Sequence, residues 1–332
     1  MFTDHSPLEK IFCCCLLAMM LVSGPVKATA SPLQKVTFIP QWVPQAQFAG
    51  YYVALETGIY RKYGLEVTII DGGPHRSSAD YLKAKKADFA SFWLTTGLEL
   101  CDRGIPVVNL AQIVQRGALM LVAKKQSGIV KPEDLAGRKV GLWGPPFDVQ
   151  PKLFFKQYGL TVKPVRQSYS INLFLRDGVA AASAMWYNEY HSIINAGIDP
   201  DELTTFFFSD HGLNYPEDGI YVRRETWRQK PKLCRAFVNA SLQGWRRAFA
   251  EPKLALDITM RNLKKARVIS NRVHQEWMLN RMHDIILPAD SRKKMGRLNK
   301  EDFQRVAAGL LKQKIIQKAP PFQDFYQQAA GE

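Results

Sequence analysis

The stretch QWVPQAQFAGYYVALETGIYRKYGLEVTI, residues 41–69, decides the fold class. It follows a short apolar run, VTFI at 36–39, and closes on another, LEVTII at 65–70, while residues 48–63 between them carry apolar side chains at helical spacing. Two strand-like runs joined by a helix make a parallel crossover unit, since parallel strands cannot be joined by a tight turn. The alternation continues downstream. Runs at 87–92 (ADFASF), 107–114 (VVNLAQIV), 118–123 (ALMLVA), 139–143 (KVGLW) and 180–186 (AAASAMW) read as strands, and 77–85, 95–102, 148–158 and 187–196 as helices between them. The fold class is α/β, each lobe a mixed sheet flanked by helices.

Beyond Val222 the pattern changes to helical segments at 231–250, 252–264, 271–287 and 299–314, introduced by Pro231, Pro252, Asn271 and Asn299. No further strand is expected there. A chain of 332 residues exceeds what one core usually organises, which is about 250–300 residues at most, so two lobes are expected. Their boundaries are set at residues 31–121 with 224–332 for lobe one and 122–223 for lobe two, with crossings at 123–127 and 219–224.

Residues 1–30 read as a signal peptide: Lys10 precedes an apolar run at 11–22, and Ala28-Thr29-Ala30 offers a cleavage site before Ser31. That run is too short to span a bilayer, which takes about 20 residues. Asp4 and Glu9 dilute the leading positive charge and leave an uncleaved anchor as the alternative. The expected location is periplasmic, after cleavage near Ala30. Cys13, Cys14 and Cys15 fall within the apolar run, so the mature chain keeps Cys101 and Cys234. Two distant cysteines have neither metal-site nor redox-motif spacing, and a single disulfide between them stays open.

The net charge of +15 is concentrated: residues 223–318 hold 24 Lys or Arg against 8 Asp or Glu. A solvated basic helical face accounts for this, and an anionic surface or acidic partner is the alternative. Nothing resembles a zinc finger, an RNA-binding aromatic motif or a basic zipper, so nucleic acid is not an expected partner. A phosphate-binding P-loop, a nucleophile elbow and an HExxH metal motif are likewise missing.

The ordered pieces together carry a resemblance. They are Trp42-x-Pro44, then E-x-G-x-Y-x-x-x-G-L-x-V from Glu56 to Val67, Gly72-Gly73, K-A-D-F at 86–89, G-I-P-V at 104–107, D-L-x-G-x-K-V-G at 134–141, and Asn188-Glu189. In that order and spacing the chain resembles the periplasmic solute-binding proteins of the thiamine-precursor and pyrimidine-synthase group, which are similar in fold to alkanesulfonate-binding proteins. The resemblance covers nearly all of the mature chain. It implies a two-lobe periplasmic binding protein fold of type II-like form, with extra C-terminal helices and a small-molecule ligand in the cleft. It also implies delivery to the membrane subunits of an ABC importer, by a monomer without cofactor or metal.

Candidate ligand contacts follow from the places where strands give way to helices, which face the cleft in such sheets. Trp42 lies on a polar connection, where packing explains it less easily than inside an apolar run. One of Phe48 and Tyr51, on the aromatic helix, is expected to reach the cleft while the other packs. Ser91, Trp93 and Thr95 form a strand-to-helix turn whose free N–H groups suit an anionic or carbonyl group, or an ordinary N-cap. Trp143 and Phe147 flank a Gly144-Pro145 turn in the second lobe. Tyr187, Asn188 and Glu189 follow the small-residue strand, and there the resemblance implies a hydrogen bond from a ligand amino group to the Glu189 carboxylate. A helix-start acid explains Glu189 equally simply. Asn214, in the polar loop with His211, Tyr215, Glu217 and Asp218, is expected to rim the cleft.

The expected ligand is a flat polar heterocycle, an aminopyrimidine thiamine precursor first, with riboflavin or an alkanesulfonate as alternatives. Relatives that make the thiamine pyrimidine consume a histidine and a cofactor held by a lysine, but Phe92 stands where that lysine is expected and Thr96 where that histidine is expected. No enzyme activity is therefore expected. Ligand sensing for a separate signalling partner is the remaining alternative.

Overall fold

The computed structural model describes residue 1, residues 32–290 and residues 294–331. The expected signal peptide and its cleavage site lie outside the described residues. Within the unit Leu33–Glu332 the strands form two five-stranded sheets.

The first sheet runs in the order β2-β1-β3-β10-β4, where β1 is Gln34–Ile39, β2 Leu65–Ile69, β3 Phe89–Trp93, β4 Val107–Gln112 and β10 Asp218–Arg223. β1 pairs in parallel with β2 and β3, whereas β10 runs antiparallel to β3 and β4. The second sheet repeats the plan as β7-β6-β8-β5-β9, where β5 is Leu119–Lys124, β6 Lys139–Leu142, β7 Lys163–Arg166, β8 Ala181–Met185 and β9 Leu203–Phe207. β6 pairs in parallel with β7 and β8, and β5 runs antiparallel to β8 and β9. In each sheet the strand antiparallel to both its neighbours, fourth in the order, is the one that follows a crossing from the other sheet.

The crossings are displaced from the expected positions. The chain leaves the first sheet after Gln112 and enters the second at Leu119, so β5 lies wholly in the second sheet and is not divided at Leu121. It returns before Asp218, which places β10 in the first sheet and not at the end of lobe two. The runs at 107–114 and 118–123 are both apolar and nearly contiguous, and local pattern carries no information about which sheet each joins. β7, β9 and β10 had no expected counterpart. β7 is a four-residue exposed edge containing Pro164, and β10 opens on Asp-Gly, a turn signal.

The aromatic residues of the opening stretch fill the first-lobe core. The Ala49–Glu56 helix packs against the Pro231–Ala250 and Pro252–Lys265 helices and meets the sheet through Tyr51 on Phe38, and it is buried from Ala49 to Ala54. Phe237 of the covering helix stacks on Phe89 at 4.1 Å and on Tyr60 at 5.3 Å, and Tyr51 packs on Phe38 at 4.6 Å. The helices approach so closely that a Cβ on Gly244 would lie 2.2 Å from the Gly50 carbonyl oxygen, and one on Gly50 would lie 2.3 Å from the Trp245 ring. Small residues at this crossing let large rings surround it.

The helices after β10 are Pro231–Ala250, Pro252–Lys265, Arg272–Ile286 and Lys300–Lys312, as the starter residues foretell. Asn271 caps its helix by accepting the His274 N–H at 2.8 Å. No helix among the described residues is long and apolar enough to cross a membrane. Cys101 and Cys234 are free thiols.

Candidate functional site

The carboxyl ends of five parallel strands converge on a cavity of about 390 Å³ between the sheets. β1 and β3 deliver Gln41, Trp42 and Trp93 from the first lobe. β6 and β7 deliver Trp143 and Phe147 and then the segment from Arg166 to Tyr169, and β8 delivers Met185, Tyr187, Asn188 and Glu189. A polypeptide that leaves a strand end must turn, and turn residues are free to face a cleft instead of a core.

Aromatic rings from both lobes meet across this space. Trp42 contacts Tyr169 edge-on with centroids 5.0 Å apart, and Trp93 meets Phe147 edge-on at 4.8 Å. The Trp143 indole N–H donates to the Ser168 carbonyl at 3.0 Å, which fastens the two second-lobe turns together. Apolar faces thus dominate the walls, and polar groups occupy a few defined places.

One such place is Glu189, at the start of the Glu189–Asn195 helix. Its carboxyl accepts the Met185 N–H at 3.0 Å and the Asn188 amide at 2.9 Å. Burial raises its pKa to about 7, against which these hydrogen bonds act in the opposite direction. A second polar line starts at Gln45, whose amide donates to Gln47 at 2.5 Å; Gln47 in turn donates to Asp218 at 2.7 Å. Asp218 is fully enclosed, and burial lifts its pKa to about 7. The neighbouring Glu217 accepts the Ala118 N–H at 2.5 Å, and burial again holds its pKa well above the ordinary carboxyl range. Asp218 Oδ1 and Glu217 Oε2 have no partner among the described residues, so ionising either carboxyl places a buried negative charge on an unpaired oxygen. Burial, followed by the charges of Glu217, Asp218 and Glu189, likewise keeps the Tyr187 phenol protonated.

Seven of the expected residues line the cavity: Trp42, Trp93, Trp143, Phe147, Tyr187, Asn188 and Glu189. Five do not. Phe48, just before the Ala49–Glu56 helix, and Tyr51, on it, are enclosed in the first-lobe core. Ser91 is buried beneath the wall, where its hydroxyl accepts the Gln41 N–H at 3.1 Å and so shapes the turn that presents Trp42. Thr95 is buried in the first turn of the helix that follows Trp93. Asn214 accepts the Gly117 N–H at 2.9 Å and donates to the Gln115 carbonyl at 3.2 Å; it ties the two crossing segments together away from the cleft.

Other wall residues escaped the sequence reading. Gln41, Gln45 and Gln47 stand in the motif Q-W-V-P-Q-A-Q, and three amides within seven residues beside a Trp-x-Pro turn was the available signal. Arg166 ends β7 and Gln167, Ser168 and Tyr169 follow it, and an unrecognised strand hides the loop at its end. Phe92 stacks on Tyr221 at 4.0 Å within the sheet core and does not face the cavity. Among the described residues no cluster of His, Cys, Asp and Glu has the arrangement to hold a metal ion.

The family model described as NMT1/THI5 like matches residues 45–255. The chain belongs to the NMT1/THI5-like family. Among NMT1/THI5-like relatives, the riboflavin-binding protein RibY of Chloroflexus aurantiacus is 25% identical over 256 residues, covering 74% of this chain and 71% of that one. The formylaminopyrimidine-binding protein of Halalkalibacterium halodurans is 23% identical, over 76% of this chain and 78% of its own length. In fold, this NMT1/THI5-like chain matches the periplasmic aliphatic sulphonate binding protein SsuA from Escherichia coli with a TM-score of 0.71 at 13% identity, covering 90% of this chain and 94% of SsuA. The expected two-lobe binding-protein fold is therefore present.

Proposed function

We propose that the protein is an extracytoplasmic solute-binding protein that captures a small, flat, polar heterocycle between its lobes and presents it to the membrane subunits of an ABC importer. The observation that carries this reading is the cavity itself: rings from both lobes face one another across about 390 Å³, with one buried carboxyl at a fixed place on the wall. That volume lies in the range of small-molecule sites, about 300–1,000 Å³. Flat faces suit a stacked ring, and Glu189 suits an amino or ring N–H donor. An aminopyrimidine meets both requirements, and the formylaminopyrimidine-binding relative supports that choice; riboflavin, the ligand in the name of the other relative, stacks equally well. Arg166 on the wall favours a second reading, an alkanesulfonate-type anion.

The two crossing segments, residues 113–118 and 208–217, are the hinge on this reading, and the wall residues named above are the contacts. The ligand is bound and released unchanged. Calorimetry with an aminopyrimidine, riboflavin and an alkanesulfonate tests the proposal, with one of the two heterocycles expected to bind and to reduce the radius of gyration measured by small-angle scattering. Selective binding of the alkanesulfonate would overturn the heterocycle reading, and binding of none with no change of shape would overturn the transport reading. Export is tested separately: N-terminal sequencing of exported material should begin near Ser31, and a chain still starting at Met1 would refute cleavage.

A further inference from the structure

The Glu189–Asn195 helix of the second lobe touches the Arg272–Ile286 helix through two histidines. His191 Nδ1 lies 3.0 Å from His274 Nδ1, and His274 Nε2 lies 2.9 Å from Asn188 Oδ1. The Arg272–Ile286 helix is itself held to the first lobe, because Gln275 accepts the Ala46 N–H at 2.7 Å. His191 also stacks on Trp277 at 4.7 Å, and the Trp277 indole N–H donates to the Trp186 carbonyl at 3.0 Å.

Hydrogen-bond direction along this chain is determined from its cavity end. The Asn188 amide nitrogen donates to Glu189, which leaves Asn188 Oδ1 as an acceptor, so His274 Nε2 carries the hydrogen. A neutral imidazole has one N–H, and His274 Nδ1 is therefore an acceptor. His191 Nδ1 must then donate to it, which requires the Asn195 amide, 3.2 Å away, to turn its oxygen and not its nitrogen toward His191 Nδ1. One proton lies between the rings, and a second would set N–H against N–H and cation against cation at 3.0 Å.

We propose that His191 and His274 form a one-proton bridge that fastens the second lobe to the first-lobe helices and, through Asn188, orients the Glu189 carboxyl on the cavity wall. The two histidines are positioning residues in this scheme. The bridge rests on the reading of Glu189 as a ligand contact only for its consequence in binding, since its geometry exists without ligand.

The surroundings bear on its pH response. Glu189 is reached through Asn188; the Arg281 guanidinium lies 4.8 Å from the Trp277 ring that carries His191; Arg272 is paired with Asp257 at 2.7 Å; Asn195 lies 3.2 Å from His191 Nδ1; and Tyr190 packs near Trp277. Burial lowers the pKa of both histidines, and the charge of His191 adds to the lowering at His274, which is pushed down to about 4. A histidine whose pKa is lower in the joined state favours that state above its ordinary pKa of about 6.5. The preference is lost as pH falls from there toward about 4.

The test uses the full chain without ligand. Imidazole ¹⁵N spectra above neutrality should show His191 protonated at Nδ1 and His274 at Nε2. In His191→Phe, which keeps a ring on Trp277, the ionisation of His274 should move upward because the neighbouring charge is gone. His274→Phe should raise the ionisation of Glu189 by freeing Asn188 to turn, and His274→Gln, which keeps a donor in the Nε2 position, should restore it. Scattering should show the wild type expanding over the acid range in which His274 ionises, with that step missing in His191→Phe. Independent titration of both rings at the ordinary histidine pKa, unchanged by either substitution, would overturn the bridge. None of these readouts depends on which ligand binds, so a failed ligand screen and a failed bridge remain separate results.

Discussion

Glu189→Gln is a perturbation whose sign reverses with its reference state, and its size follows from burial. In the folded protein the carboxyl titrates at about 7, against 4.5 for an ordinary glutamate, because it is enclosed and its two hydrogen bonds only partly offset the loss of solvent. An acid with a raised folded-state pKa binds more protons folded than unfolded, so its contribution falls as pH rises from 4.5 through about 7. Between about pH 5 and about pH 8.5 the wild type should lose about 2.5 kcal/mol from this group, since each pH unit crossed between the unfolded and folded ionisations costs about 1.36 kcal/mol. Glutamine keeps the acceptor for Met185 but presents an N–H to the Asn188 amide, costing about 1 kcal/mol at every pH. The variant should therefore be about 1 kcal/mol less stable than wild type near the lower pH and about 1.5 kcal/mol more stable near the higher one. Urea unfolding of both proteins at the two pH values measures this. The variant is compared with wild type at each pH, so Asp218 and Glu217, also raised by burial, drop out of the difference. Parallel stabilities for the two proteins at both pH values would show that Glu189 ionises freely, and the description of a buried wall carboxyl would fail.

Three further outcomes are expected. Trp42→Ala should weaken binding of the heterocycle by about 1–3 kcal/mol, one to two decades in the calorimetric Kd, with little change in stability, since Trp42 is only partly buried. Phe48→Ala should do the reverse: loss of a fully enclosed ring should lower stability by about 3–5 kcal/mol in chemical denaturation while the affinity of the folded fraction stays the same. Gly244→Ala should destabilise by about 1–3 kcal/mol, because its new methyl group would meet the Gly50 carbonyl at 2.2 Å, and a thermal midpoint equal to wild type would show that the helix pair can separate freely.

The residues that proved legible and those that did not differ in physical kind. Trp42, Trp143 and Glu189 stand at strand ends, where local pattern marks the change from strand to turn and the carboxyl-end rule for open α/β sheets predicts a cleft position. Phe48 and Tyr51 satisfy the same local description, yet they pack inward, where Tyr51 meets the Trp245 ring from nearly two hundred residues away. Arg166 and Tyr169 reach the cavity from an edge strand whose exposed, proline-containing sequence lacks the apolar signature of a sheet interior.

Alternation of apolar periods along the chain suffices for the α/β class, for the helical C-terminal third and for most strand positions, because these depend on side chains within a few residues of one another. Sheet membership of β5 and β10 does not follow from such patterns, since pairing is chosen among strands far apart in sequence and equally apolar. The ionisation of Glu189, Asp218 and Glu217 is likewise a property of enclosure by distant segments, and the contact of His191 with His274 joins residues 83 positions apart. Local composition sets which elements form; desolvation and long-range packing set which of their side chains face the cavity and in what state of charge.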